Sequence, residues 1–173
     1  METKKWFERK FDFNFGPDRY ADIYLQLKGA PDRLREAVHG LEEAVTDHKP
    51  EGGWSIKEHT GHLSVMETIW RVRFHDIDEG KPELTTADLG NRATTEANFN
   101  AHSVGALLDR FLNERMTTLA LLDNLNMLDE SRTSLHPRLR QPMRMIDNAY
   151  FVAEHDEHHI RRIREIALIS STP

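Results

Sequence analysis

Apolar residues recur along most of this chain with a helical period. Leu34, Ala37, Val38, Leu41, Ala44 and Val45 share one face when the sequence is drawn at about 100° per residue. The stretch from Gly16 to Val45 reads as helix broken at Gly29-Ala30-Pro31: Gly29 ends one piece and Pro31 takes the first turn of the next. Turn formers from Asp47 to Gly53 make a break, and Ser55-Ile56-Lys57-Glu58 is a capping-box sequence that starts a long helix. That helix runs from about Ile56 to Glu79, carries Leu63, Met66, Ile69, Trp70, Phe74 and Ile77 on its apolar side, and stops at Gly80 and Pro82. A polar connection from Lys81 to His102, with room for short helical turns, leads to a third long helix near Ser103 marked by Val104, Leu107, Leu108, Phe111, Leu112, Met116, Leu119, Leu122 and Leu125. After a loop punctuated by His136-Pro137 and Pro142, a last helix is expected from about Met143 to Ile169. No window alternates with period two and β-branched residues, so no strand is expected. Four long amphipathic helices with long connections predict an all-α four-helix bundle whose topology includes crossovers.

Length adds little to that picture. A chain of 173 residues suits one domain, with its core over about 31–169 and an aromatic, basic N-terminal extension over 1–16. The formal net charge of -6 argues against nucleic acid as the main partner, since phosphate binding needs a basic surface. The opening segment intersperses charges among its apolar residues and does not read as a signal peptide. No apolar run reaches membrane-spanning length, so the expectation is a soluble, cytoplasmic protein. The chain contains no cysteine, which excludes disulfides, Cys-based zinc sites and a protein thiol nucleophile.

Ten histidines are the compositional anomaly. On the last helix, Met145, Ala149, Val152, Ala153, Ile160, Ile163 and Ile166 form a buried stripe; His159 and His155 fall at its flank, while His158 points nearly the opposite way, toward water. His155 and His159 stand one turn apart on one face, so both imidazoles can donate to a single ion. A third ligand must come from another helix, and either His59 or His62 can supply it; His62, between Leu63 and Met66 and after Gly61, has the better apolar context. Three protein ligands leave a coordination position open, the catalytic rather than the structural pattern. The bland alternative is that these are surface or core-flanking imidazoles. Asp156 falls within the apolar stripe, where an ionised carboxylate needs a partner: a salt bridge to Arg71 or Arg73, or a hydrogen bond orienting a ligand histidine. His-Glu-x-x-His, paired Glu-x-x-His motifs, a phosphate-binding Gly-rich loop and a Gly-x-Ser-x-Gly elbow are all absent.

The stretches "EGGWSIKEHTGHLSVMETIW", "LHPRLRQPM" and "EHDEHHIRRI" together resemble the DinB/YfiT-like superfamily of metal-dependent four-helix-bundle proteins, over roughly Leu34 to Ile166. The most specific parts are a Trp-Ser helix start leading to a His-Leu pair and a C-terminal His-x-x-x-His. Carried over by motif, the resemblance implies His62, His155 and His159 as ligands of a divalent ion, zinc or nickel foremost. It also implies thiol-dependent S-transferase chemistry, and the expectation is a metal-dependent S-transferase or hydrolase acting on a small-molecule substrate. With no cysteine in the chain, any thiolate belongs to a low-molecular-weight cosubstrate. Asp156, Glu154 and His136 are the candidates for proton transfer. Relatives often carry Gly where this chain has Arg140, after Leu139. The rival expectation is a non-catalytic, stress-related helical protein with a structural metal or a homodimerisation role.

Overall fold

The computed structural model describes residues 6–170; the first part of the N-terminal extension expected from the sequence, residues 1–5, lies outside them. Helices dominate: α1 (Tyr20–Val38), α2 (Glu43–Asp47), α3 (Ile56–Asp78), α4 (Arg92–Glu96), α5 (Val104–Leu122) and α6 (Met145–Ser170). The four long ones, α1, α3, α5 and α6, form the bundle. Each of α1 and α3 packs on both α5 and α6, so α1 faces α3 across one diagonal and α5 faces α6 across the other. The segments 39–55 and 123–144 are therefore the crossovers. The longer segment 79–103 joins neighbours, and its excess length lies over the bundle. No described helix is long and apolar enough to cross a membrane.

Local chemistry explains most helix ends. Ser55 Oγ accepts from the Glu58 amide while the Ser55 amide donates to Glu58 Oε2, completing the predicted capping box. Gly80 follows α3 with φ of 70°, a conformation that glycine adopts without steric cost. Ser103 caps α5 through the Ala106 amide.

Two sequence expectations fail in the first helix. The Gly29-Ala30-Pro31 step does not break it: α1 is continuous, with Pro31 buried inside. Proline removes the amide that would have bonded the Leu27 carbonyl, and that carbonyl accepts instead from Arg115 Nη1 at 3.0 Å. The helix ends at Val38, where Gly40 turns the chain at φ 73°, so Leu41 lies outside it and Val45 belongs to α2. A third difference is a two-residue ladder, β1 (Ser134–Leu135) against β2 (Pro142–Met143). Two residues are too short to show any alternation. A bridge from Leu135 to Glu83 ties this loop to the 79–103 connection.

Arg115 joins all four long helices. It is fully buried and bonds Glu67 of α3 at 2.6 Å, Asp156 of α6 at 2.7 Å and the Leu27 carbonyl of α1. The Thr118 hydroxyl donates to the other Glu67 oxygen. Arg71 pairs instead with Glu114, so Asp156 is partnered by Arg115 of α5, which neither wheel nor spacing singled out. On either side of this polar layer lie two apolar groups, one around Trp70, Phe74 and Phe151 and one around Leu34, Phe111 and Ile163.

Candidate metal centre

His59 and His62 project from the first turns of α3, and His155 and His159 from α6. Where these helices face one another, His62, His155 and His159 each place a ring nitrogen within 4.8 Å of the others. His155 Nε2 lies 3.4 Å from His62 Nε2 and 3.2 Å from His159 Nε2. Nitrogens bound tetrahedrally at about 2.0–2.1 Å are about 3.3–3.4 Å apart, so these spacings fit a shared cation. The outer nitrogens support the same reading. His62 Nδ1 is 2.8 Å from the Thr94 hydroxyl, and His159 Nδ1 is 2.8 Å from His59 Nδ1. When His62 and His159 donate through these contacts, their Nε2 lone pairs face inward. His155 Nδ1 is buried without a hydrogen-bond partner among the described residues.

Burial decides the protonation state. It pushes His59 and His62 down to about 3 and His155 and His159 well below the ordinary imidazole value, with neighbouring imidazoles adding to the effect. Charging one ring in this enclosure costs its hydration and repels the others. The cluster is neutral at pH 7, the form that donates to a metal.

Aromatic rings close the sides. Trp54 lies 4.8 Å from His62 and nearly parallel to His159, while Trp70 meets His155 edge-on at 5.2 Å. Trp6 packs on His155 at 5.1 Å and on His158 at 5.5 Å. His158 is therefore only 8% exposed, contrary to the water-facing position expected from the helical wheel. A one-helix projection cannot include a covering segment that arrives from the N-terminus. Burial and the surrounding arginines push His158 down to about 4.

The remaining wall is a cavity of about 400 Å³ that opens onto the histidines between α3 and α6, flanked by Phe7, Met66, Leu89, Phe151, Arg73 and Arg138. His136 reaches this cavity from the β1–β2 loop. Its Nδ1 faces the amides of Arg138 and Leu139, and its Nε2 lies 3.2 Å from Arg73 Nη1. The neutral ring keeps one N–H and accepts at its other nitrogen, and burial with the Arg73 and Arg138 charges pushes the ring down to about 3. Asp156 does not reach the cavity; it lies in the Arg115 layer, and burial raises its carboxyl. Glu154 pairs with Arg9. Arg140 is exposed, pairs with Glu83 at 3.2 Å and has φ of 54°, the left-handed conformation that favours glycine.

The predicted trio thus comes together, and sequence reasoning missed what surrounds it. His59 was a candidate ligand and instead bonds the outer nitrogen of His159. Thr94 carries no motif and arrives because the 79–103 connection folds over α3. Gly61 makes that possible: a Cβ there would lie 2.4 Å from the Phe99 ring. The Ser55 hydroxyl donates to Asn100 in the same segment.

Comparison with known proteins finds relatives of the chain and of its fold. The family profile described as the DinB superfamily matches residues 26–163. No curated protein matches the sequence. Among solved structures, YfiT from Bacillus subtilis superposes with a TM-score of 0.79 at 20% identity, covering 96% of this chain and 95% of that one. That protein is described as a probable metal-dependent hydrolase with an unusual four-helix bundle topology. The similarity at this identity is one of fold.

Proposed function

This chain belongs to the DinB superfamily, and we propose that it is a divalent-metal-dependent enzyme acting on a small molecule, with His62, His155 and His159 as the metal ligands. The observation that carries the reading is the convergence of three buried, neutral imidazoles, within 4.8 Å of one another, at the floor of a cavity. A structural site takes its fourth ligand from the chain, whereas here the fourth side is open space. A divalent ion at this position supplies a fixed positive charge that favours the deprotonated form of a water or thiol. The chain's own groups do the rest. Thr94 and His59 fix the tautomers of His62 and His159, and Trp54, Trp70 and Trp6 exclude bulk water. His136 props the Arg73 side of the cavity. The reaction is hydrolysis or thiol-dependent S-transfer; the described activity of YfiT favours the first. The absence of cysteine means that S-transfer requires a low-molecular-weight thiol.

Elemental analysis of untagged protein tests the assignment. We expect one equivalent of a divalent metal, zinc or nickel, and its loss from each of His62→Ala, His155→Ala and His159→Ala. Metal retained by all three variants overturns it. Assay of the metal-loaded protein on an ester, and on glutathione with an aryl halide, separates the two reactions.

A further inference from the structure

Three arginines line the cavity, and two of them lack a counter-ion. Arg162 is matched by Glu165 at 2.6 Å. Arg73, only 3% exposed, donates Nε to the Thr85 carbonyl at 3.0 Å and places Nη1 3.2 Å from neutral His136; no carboxylate among the described residues lies within ion-pair distance. The nearby acid, Asp76, is held by Lys81 and the Thr85 amide, each at 2.7 Å. Arg138 donates Nη1 to the Phe7 carbonyl at 3.2 Å and lies over the Phe7 ring at 5.4 Å, while its Nη2 is buried with no hydrogen-bond partner among the described residues. Burial lowers Arg73 to about 10, against the more distant pull of the Asp76 carboxylate, which raises it, and with a smaller lowering from the Arg138 charge. The one carboxylate in the lining, Asp88, is occupied with the amides of Gly90 and Arg92.

Arg73 is a buried cation without an ion-pair partner, which is costly, and the half-buried Arg138 charge beside it adds repulsion. Every other strongly buried charge described above meets its opposite. A guanidinium presents a planar fork that fits an oxyanion with two parallel bonds, and these forks lie on a wall shared with the histidines.

We propose that Arg73 and Arg138 form an oxyanion subsite beside the three-histidine centre, so that the small molecule taken by the cavity is an organic anion. Its carboxylate or phosphate group pairs with the two arginines, and its apolar body lies against Phe7, Met66, Leu89 and Phe151. The inference rests on the reading of this cavity as the substrate site, and supplies the substrate's charge.

Calorimetric titration of metal-free and zinc-loaded protein with benzoate, phenyl phosphate and neutral benzamide tests it. Benzoate or phenyl phosphate should bind saturably to both forms, the tighter one identifying the head group, and benzamide should not bind. Arg138→Gln should raise the Kd of that anion by about tenfold or more, the loss of a charge-assisted pair. Arg138→Lys, which keeps the charge without the fork, should recover part of the loss and serves if the glutamine variant is unstable. Equal binding of benzamide, an unchanged Kd in both variants, or anion binding only with zinc present overturns the subsite. The two readings fail separately: a wild-type chain that takes up no metal yet binds benzoate through Arg138 sinks the metal assignment and leaves the subsite standing.

Discussion

Two clusters of polar side chains are buried in this bundle, less than one helical turn apart on α6, and they are built on opposite principles. Around Arg115, charges face their opposites: one guanidinium meets Glu67 and Asp156, and the carbonyl freed by Pro31 takes a further donor. Around His155, neutral bases face one another across gaps of 3.2 and 3.4 Å, with a cavity on the remaining side. The first cluster is closed and ties four helices together. The second is a set of neutral lone-pair donors bordering a cavity. Burial alone therefore does not separate a structural polar cluster from a functional one; internal satisfaction does.

The comparison breaks most visibly at Arg115. Arg115→Met should destabilise the protein by about 3–5 kcal/mol in urea unfolding, because it leaves Glu67 and Asp156 buried without their partner. A loss below about 1 kcal/mol would mean that the layer relaxes to water and does not hold the bundle together.

Acid should act on the other cluster. His59 and His62 are lowered to about 3 from an ordinary 6.5, so their contribution to stability is fully present above pH 6.5 and is lost progressively as pH falls from there to the lowered values. At pH 5 each such histidine withdraws about 2 kcal/mol from the metal-free protein relative to pH 7. Asp156 runs the other way: burial raises its carboxyl, so its contribution is present below the ordinary carboxylate value and lost as pH rises through the raised one. Several histidines outweigh one aspartate, and urea midpoints of metal-free protein should fall steeply from pH 7 to pH 5. A flat profile would contradict the burial of neutral imidazoles.

Thr94→Val sharpens the contrast without touching a ligand. It removes the acceptor for His62 Nδ1 and should weaken metal binding about 10- to 100-fold, measured by competition with a chelator, with the Arg115 layer undisturbed. The smallest effect belongs to a position outside both clusters. Arg140→Gly relieves the left-handed backbone at φ 54° but gives up an exposed pair with Glu83. A net stabilisation of up to about 1 kcal/mol is expected, with metal content unchanged; a loss of metal would place Arg140 in the site after all.

The helices of the bundle were legible because burial on one face leaves a periodic trace, as Ile160, Ile163 and Ile166 do on α6. The capping box at Ser55 and the stop at Gly80 were legible because their chemistry is local. His155 and His159 were legible as a pair, since their spacing alone puts them on one face. Pro31 misled the reading because its cost is offset by Arg115, far away in sequence. His158 misled it because the cover is Trp6.

What the sequence by itself determined is whatever depends on neighbours within a turn or two: the long helices, their caps and the paired histidines. Tertiary structure alone decided what depends on groups distant along the chain. Arg115 became the partner of Asp156, Thr94 the support of His62, and Arg73 with Arg138 a pair of cations without counter-ions. Hydrogen bonds and charge compensation require approach to a few ångströms, and only packing of the four helices, with the 79–103 connection folded over α3, brings those groups so close.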